Sequence, residues 1–555
     1  MIDVLRLFGV FGSTYRAYAW LGVSSLASAA AFSWARATAL LVAVALGGCA
    51  ALPSPVERPV SYARTDVADT ALGHIASFST PEGASDLSGF RLLPDGEEAF
   101  RARVALVRRA EKTLDVQYYL IASDPTGFEF LRELRDAAAR GVHVRIIVDD
   151  LYATGQDALY ASLAAHENVE VRMFNPLAVR GGSFATRVAL SLPQLSRINH
   201  RMHNKLFIAD NTFAVTGGRN IADEYFDRSG EANFVDMDVL SSGPVVRQLS
   251  AVFDSFWNSA LAYAIGELSK ADTPLADHLL DGASSRRATP ASAHSQSEDV
   301  VAQLERGTLT QHFAAATVVA DSPEKAEGAA ALTADQDDDA ADGVVMAAHT
   351  GLIRGAHSEV LVTSPYFIPG SAGLAAMTGS VARGVHVSVI TNSSATTDEP
   401  IVQFAYARLR ETLIRGGIDL RELSPTHAVG DEEAERGRPG ASAGSLGRLH
   451  AKVAVADGRR VLIGSMNDDR RSAKLNTECV VLIESVPLAS EVRDVLTREL
   501  LAASYRLRLI EPRGRIEWID ESTQAPSKTA AKTHVNWAGA AAYGLVLQVM
   551  GTGSL

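Results

Sequence analysis

Cysteine is nearly missing from this chain: 555 residues contain two, Cys49 and Cys479. They can build neither a disulfide framework nor a cysteine-rich zinc site. Cys479 lies in the apolar run ECVVLI and reads as a small core residue. Excess positive charge is also missing. The formal net charge is −13, whereas affinity for nucleic acid comes from neutralising phosphates with Lys and Arg. No nucleic-acid partner is expected, and no metal or other cofactor. Aromatic residues make up 7% of the chain, but 47% is hydrophobic. A chain of this length and composition has material for two domains with cores of their own.

One short stretch occurs twice. His203 to Asn220 reads HNKLFIADNTFAVTGGRN, and His450 to Asn467 reads HAKVAVADGRRVLIGSMN. His203 and His450, Lys205 and Lys452, Asp210 and Asp457, and Asn220 and Asn467 are each 247 positions apart. Internal repetition at fixed spacing is a sign of repeated architecture. Each copy reads as a hairpin, with a short apolar run, a turn pair (Asp210-Asn211, Asp457-Gly458) and a second run. Side chains two apart on a strand share a face, so His203 points with Lys205 and His450 with Lys452. An imidazole beside an ammonium suits a phosphodiester: Lys holds the anionic oxygens while His attacks phosphorus or protonates a leaving oxygen. Two copies facing one another supply a nucleophile, a general acid and a two-Lys clamp. Asn220 and Asn467 follow the second strands and can donate to the same oxygens. Asp210 and Asp457 complete the motif, with ordering of the hairpin turn as their competing role.

HxK, four residues, Asp, six residues and GSxN, present twice, resembles the phospholipase D superfamily signature. The resemblance implies one active site shared by two halves, with His203 as nucleophile and His450 as acid and then base. It also implies an acidic residue that fixes each imidazole. Glu478 in LNTE and, by strand alignment, Asp236 take that place. Gly218 departs from the pattern where the family often has Ser; the second copy keeps Ser465. Longer strings, NHRMHNK, GGRNIADEYF, PYFIPG and RSAKLNTE, resemble the bacterial cardiolipin synthase branch, especially its C-type members. That implies a phosphatidyltransferase on phospholipids such as phosphatidylglycerol or phosphatidylethanolamine. Simple hydrolysis to phosphatidic acid and an envelope nuclease are the alternatives. Arg197, His200, Arg201 and Arg219 near the first motif, and Arg448, Arg459, Arg460, Arg470 and Arg471 near the second, are expected as a group to line a positive cleft.

The same order of strands and helices recurs around each motif. Leu114 to Leu120 matches Val360 to Phe367, and ARGVHV occurs at both 139–144 and 382–387. Val235 to Leu240 is expected as one strand, matching Val480 to Ile483, and Pro244 and Pro487 open late helices. This is an α/β chain of two similar lobes, each a mixed, mainly parallel sheet flanked by helices. The expected boundaries are a signal peptide at 1–48, a tether at 49–85, lobe 1 at 86–268, a flexible linker at 269–340, lobe 2 at 341–512 and a tail at 513–555. The linker assignment rests on its Ala, Ser, Asp and Gln content. Residues 428–447 read as a soft insertion or a lid. Leu46-Gly47-Gly48-Cys49 after an apolar run resembles a bacterial lipobox. That implies lipidation of Cys49 and a Gram-negative envelope lipoprotein, on the periplasmic face of the outer membrane. An uncleaved membrane helix is the competing reading. The two lobes make one site, so a monomer suffices.

Overall fold

The computed structural model describes residues 52, 58–183, 186–187, 190–191, 194–270, 273–282, 299–327, 343–424, 446–512, 514–520 and 525–526. The signal peptide, Cys49, most of the 428–447 insertion and the run from Val535 to Leu555 lie outside them.

The first lobe is laid down by alternating buried strands and amphipathic helices. Asp95 caps the helix Gly96–Arg109 by accepting from the Glu98 N–H. Glu97 and Glu98 in its first turn and Arg108 and Arg109 in its last complement the helix dipole. Thr113–Tyr118 follows, buried at every position. Asp124 caps Pro125–Ala139, whose first position is proline. His143–Asp149 and Val169–Phe174 then pair in parallel beside Thr113–Tyr118. The motif hairpin, Leu206–Ala209 and Phe213–Gly217, joins this sheet antiparallel. Asp238–Ser242 and Ser88–Leu93 continue it.

The second lobe repeats the plan. Glu359–Thr363, His386–Asn392 and Asp419–Leu423 form its parallel set. Val453–Ala456 and Arg460–Gly464 are its motif hairpin, followed by Cys479–Glu484. The mixed α/β class and the two similar lobes are as expected. Parallel pairing belongs to the three-strand set of each lobe, and the motif hairpins add antiparallel ladders around it.

Three boundaries differ from the sequence reading. The strand His312–Ala320 lies inside the expected linker. It pairs antiparallel with Ser88–Phe90 on one side and with Cys479–Glu484 on the other. It is the counterpart of Ser88–Leu93, and the two strands side by side join both lobes into one 18-stranded sheet. The expected tether is docked from Arg58 onward: Arg58 pairs with Glu267 at 2.9 Å, and Thr70 caps the helix Ala71–Ser79, whose Leu72 and Ile75 enter the core. The expected tail contributes Arg515–Asp520, an antiparallel partner of Ser504–Ile510. A shared apolar core crosses the junction, with Val239, Phe253 and Trp257 from lobe 1 and Val455, Val481 and Leu488 from lobe 2.

The expected strand Val235 to Leu240 is broken. Ala232–Val235 leaves the lobe 1 sheet and pairs in parallel with Leu446–Leu449 of lobe 2, and Asp238–Ser242 returns to the sheet. Asp236 sits in the gap, where no ladder position dictates its direction.

Candidate active site

Each motif histidine is delivered to the other lobe by backbone hydrogen bonds. The His203 N–H donates to the Thr477 carbonyl at 3.0 Å, and the Thr477 N–H to the Arg201 carbonyl at 2.9 Å. On the opposite side the His450 N–H donates to the Val235 carbonyl at 2.8 Å. In each case the residue just before a histidine's new partner carboxylate is pinned to the histidine's own chain. The result is an exchange: His203 Nδ1 lies 3.0 Å from Glu478 of lobe 2, and His450 Nδ1 lies 2.6 Å from Asp236 of lobe 1. Alignment identifies both carboxylates but not which imidazole each serves.

All four groups are buried. Burial pulls the His203 imidazole down to about 4, with Glu478 opposing and Lys205 assisting. Burial and then Lys452 push His450 below its ordinary value. Burial works to raise Asp236 and Glu478, but the facing histidines outweigh it and hold both below the usual carboxylate range. A neutral His203 donating Nδ1–H to ionised Glu478 leaves its Nε2 with a free lone pair, whereas His450 Nε2 lies 3.2 Å from Lys452 Nζ.

Lys205 Nζ donates to the His203 carbonyl at 2.8 Å, and Lys452 Nζ to the His450 carbonyl at 2.7 Å. Burial takes Lys205 to about 7 and Lys452 to about 8, opposed chiefly by Glu478 and Asp236 respectively. The ammonium of Lys452 also lowers Lys205 and His203, so the two motifs share one electrostatic field. An entering phosphodiester anion favours the charged form of both lysines.

Asn220 donates from Nδ2 to Tyr225 Oη at 3.0 Å, and its Oδ1 has no partner among the described residues. The Asn467 backbone N–H donates to Ser472 Oγ, and its Oδ1 is likewise unpartnered among the described residues. Ser465 donates to Glu478, and Ser472 does so at 2.7 Å. The sequence reading missed Ser472, although it stands inside the string RSAKLNTE. It also missed the rings around the histidines: Tyr119 meets His203 edge-on at 5.1 Å, and Tyr225 meets His450 at 5.0 Å.

Asp210 and Asp457 are elsewhere. The Asp210 carboxylate accepts the backbone N–H groups of Glu111, Lys112 and Thr113, and Asp457 those of His357, Ser358 and Glu359. Both sit at the turn end of the hairpin with positive φ. They tie the turn to the loop before the neighbouring strand and do not reach the imidazoles.

The arginines near the motifs do not form the expected cleft as a group. Arg201 is buried against Asp149, and Arg219 donates to the carbonyls of Leu93, Pro94, Tyr225 and Asp236. Arg459 and Arg460 pair with Glu484 and Asp457 at the hairpin turn. Arg471 reaches across the lobes to Asn199 at 2.7 Å.

The family described as "Cardiolipin synthase, PLD-like domain" matches residues 104–257 and 350–500, one span in each lobe, and each span contains one His-x-Lys pair. The chain belongs to this family of phospholipase D-like proteins. Cardiolipin synthase C of Escherichia coli strain K12 is 36% identical over 436 residues, covering 76% of this chain and 87% of that protein. An uncharacterized protein of Helicobacter pylori strain ATCC 700392 / 26695 is 30% identical over 486 residues, 86% of this chain and 91% of its own length. Cardiolipin synthase A of Pseudomonas syringae pv. syringae strain B728a is 28% identical over 410 residues, with coverage of 74% and 68%.

Proposed function

We propose that this protein is a phosphatidyltransferase that makes cardiolipin or a related lipid through a phosphohistidine, with His203 as nucleophile and His450 as acid and base. The observation that carries the reading is the pair of buried imidazoles, each oriented through Nδ1 by a carboxylate from the opposite lobe. His203 Nε2 attacks phosphorus, the bond to the headgroup oxygen breaks, and that oxygen takes a proton from His450. His450 then removes the proton of an incoming lipid hydroxyl. Its oxygen attacks phosphorus, and the phosphorus–nitrogen bond to His203 breaks. Lys205 and Lys452 hold the non-bridging oxygens while charge develops on them.

The division of roles follows the carboxylates. Glu478 spreads its charge over His203 and the hydroxyls of Ser465 and Ser472, so it stabilises an imidazolium less and leaves His203 a neutral nucleophile. Asp236 accepts His450 and the Met237 N–H and better supports a protonated ring.

Mass spectrometry of lipids from cells over-producing the protein tests this. Cardiolipin should rise with the wild type and not with His203→Ala or His450→Ala. Phosphatidic acid in its place would mean that water is the acceptor, and full activity in either variant would remove the assignment. Action on a phospholipid calls for a position at a membrane. For the anchor we propose lipidation of Cys49 and a position on the periplasmic face of the outer membrane, on the sequence Leu46 to Cys49. Fatty-acid label should enter the wild type and not Cys49→Ser.

A further inference from the structure

The scaffold is two-fold, but the two ends of its cleft are furnished differently. Tyr119 and Tyr366 are equivalent positions, each just past the first parallel strand of its lobe, Thr113–Tyr118 or Glu359–Thr363. In open α/β sheets ligands gather beyond the carboxyl ends of such strands. At the His203 end Tyr119 meets a second aromatic ring, Tyr152, edge-on at 5.3 Å. At the His450 end Tyr366 instead donates its hydroxyl to Asp398 at 2.6 Å. Asp398 follows the next parallel strand, His386–Asn392, and Glu399 is beside it.

Asp398 belongs to the reacting end of the cleft. Its charge acts on His450, Lys452 and Tyr225, the ring packed on His450, and reaches Tyr152 as well. Its other oxygen, Oδ1, is shielded and has no partner among the described residues. Asn220, 3% exposed and bonded to that same Tyr225, also presents an unpartnered Oδ1. Both unused atoms accept hydrogen bonds, so a complementary ligand must donate them. The headgroup oxygen exchanges its proton with His450, so the rest of the headgroup extends into this end.

We propose that Asp398, held by Tyr366 and flanked by Asn220 and Glu399, is a headgroup subsite that selects alcohols with a hydrogen-bond donor on the carbon next to the one bearing the phosphoester oxygen. A glycerol hydroxyl and an ethanolamine ammonium share that chemistry. The inference rests on the phosphatidyl-transfer reading and assigns a specificity residue to it.

The test compares kcat/KM for headgroup release from phosphatidylglycerol, phosphatidylethanolamine and phosphatidylmethanol, the last lacking any such donor. The wild type should prefer one or both of the first two over phosphatidylmethanol by ten-fold or more. Asp398→Ala and the milder Tyr366→Phe should shrink that ratio, the former at least ten-fold, and thermal melting shows which variants are folded. Asp398→Asn keeps an acceptor oxygen and loses the charge. It should retain most of a glycerol preference but lose an ethanolamine preference, which separates the two sources. A wild type that releases no headgroup from any donor overturns the transfer reading and this subsite with it. Equal kcat/KM for all three donors, or an unchanged ratio in folded Tyr366→Phe and Asp398→Ala, overturns the subsite alone.

Discussion

Gly218 and Ser465 occupy the same place in the two motifs, and the carboxylates beside them account for the difference. A Cβ on Gly218 would stand 2.1 Å from Asp236 Oδ1. In the other motif the longer Glu478 leaves room for Ser465 and accepts its hydroxyl. Small residue and short acid go together, as do hydroxyl and long acid. Gly218→Ala should therefore push Asp236 off His450. Misplacing a catalytic group by about 1 Å costs on the order of 100-fold, so kcat should fall by about that factor; an unchanged kcat would refute the packing argument. The lysines make a second prediction. They clamp phosphate only as ammonium ions, and in the free protein they sit at about 7 and about 8. Protons leave as pH rises, and the acid His450, itself lowered by burial, loses its proton in the same direction, so kcat/KM should have declined by pH 7 to 8, while the neutral His203, at about 4, sets an acid limb only near that value. Lys205→Arg, which stays charged, should move the alkaline limb upward, toward the value of Lys452. A profile flat from pH 7 to 9.5 would show that neither lysine titrates as described. The histidines, lysines and asparagines were legible from the repeat, because spacing reports equivalence; Asp236 and Glu478 came from strand alignment and the family resemblance, and Ser472 and the flanking rings were missed. The arginines misled because proximity in sequence does not tell a cleft-lining guanidinium from one buried against backbone carbonyls, as Arg219 is.

Among the elements, the strand His312–Ala320 carries the most consequence for its length. Ala315 to Ala320 run in register with Glu484 to Cys479, while Ala314 to His312 face Ser88 to Phe90. A proline inside a central strand removes a ladder hydrogen bond and cannot be accommodated there. Thr317→Pro, at a position whose N–H faces Cys479–Glu484 while that of Val318 turns away to Gln248, should lower the unfolding free energy by about 1–3 kcal/mol, read from denaturant melting, with activity lost as the lobes separate. Melting unchanged from wild type would return the segment to the status of a linker. Composition hid this strand. Its sequence, HFAAATVVA, is alanine-rich and sits between stretches dominated by Ala, Ser and Asp, and a window average sees the neighbours. The motif hairpins were legible because two short apolar runs and a turn pair led by Asp are local signals. The break at Asp236 was not, since what pulls Ala232–Val235 out of its own sheet is Leu446–Leu449, more than 200 residues away.

At the scale of the whole molecule, the exchange of carboxylates makes each histidine the product of both lobes. The constant spacing of 247 foretold a two-fold assembly, but a repeat is equally compatible with each lobe completing its own pair, and only the folded chain distinguishes the two. The distinction is measurable. A phosphatidyl donor with a p-nitrophenyl leaving group needs no general acid to depart, so its burst of p-nitrophenol reports on the nucleophile alone. If Glu478 serves His203, Glu478→Gln should slow that burst by 100-fold or more, as removal of His203 does, because the imidazole is left in the wrong tautomer. Asp236→Asn should preserve the burst while slowing turnover of natural lipids, whose alcohols require His450, by about 10²- to 10⁴-fold. If each lobe oriented its own histidine, the outcomes would trade places: Asp236→Asn would extinguish the burst and Glu478→Gln would spare it. The experiment therefore reads, from two conservative changes on separate halves of the chain, whether the half that carries the nucleophile is also the half that orients it.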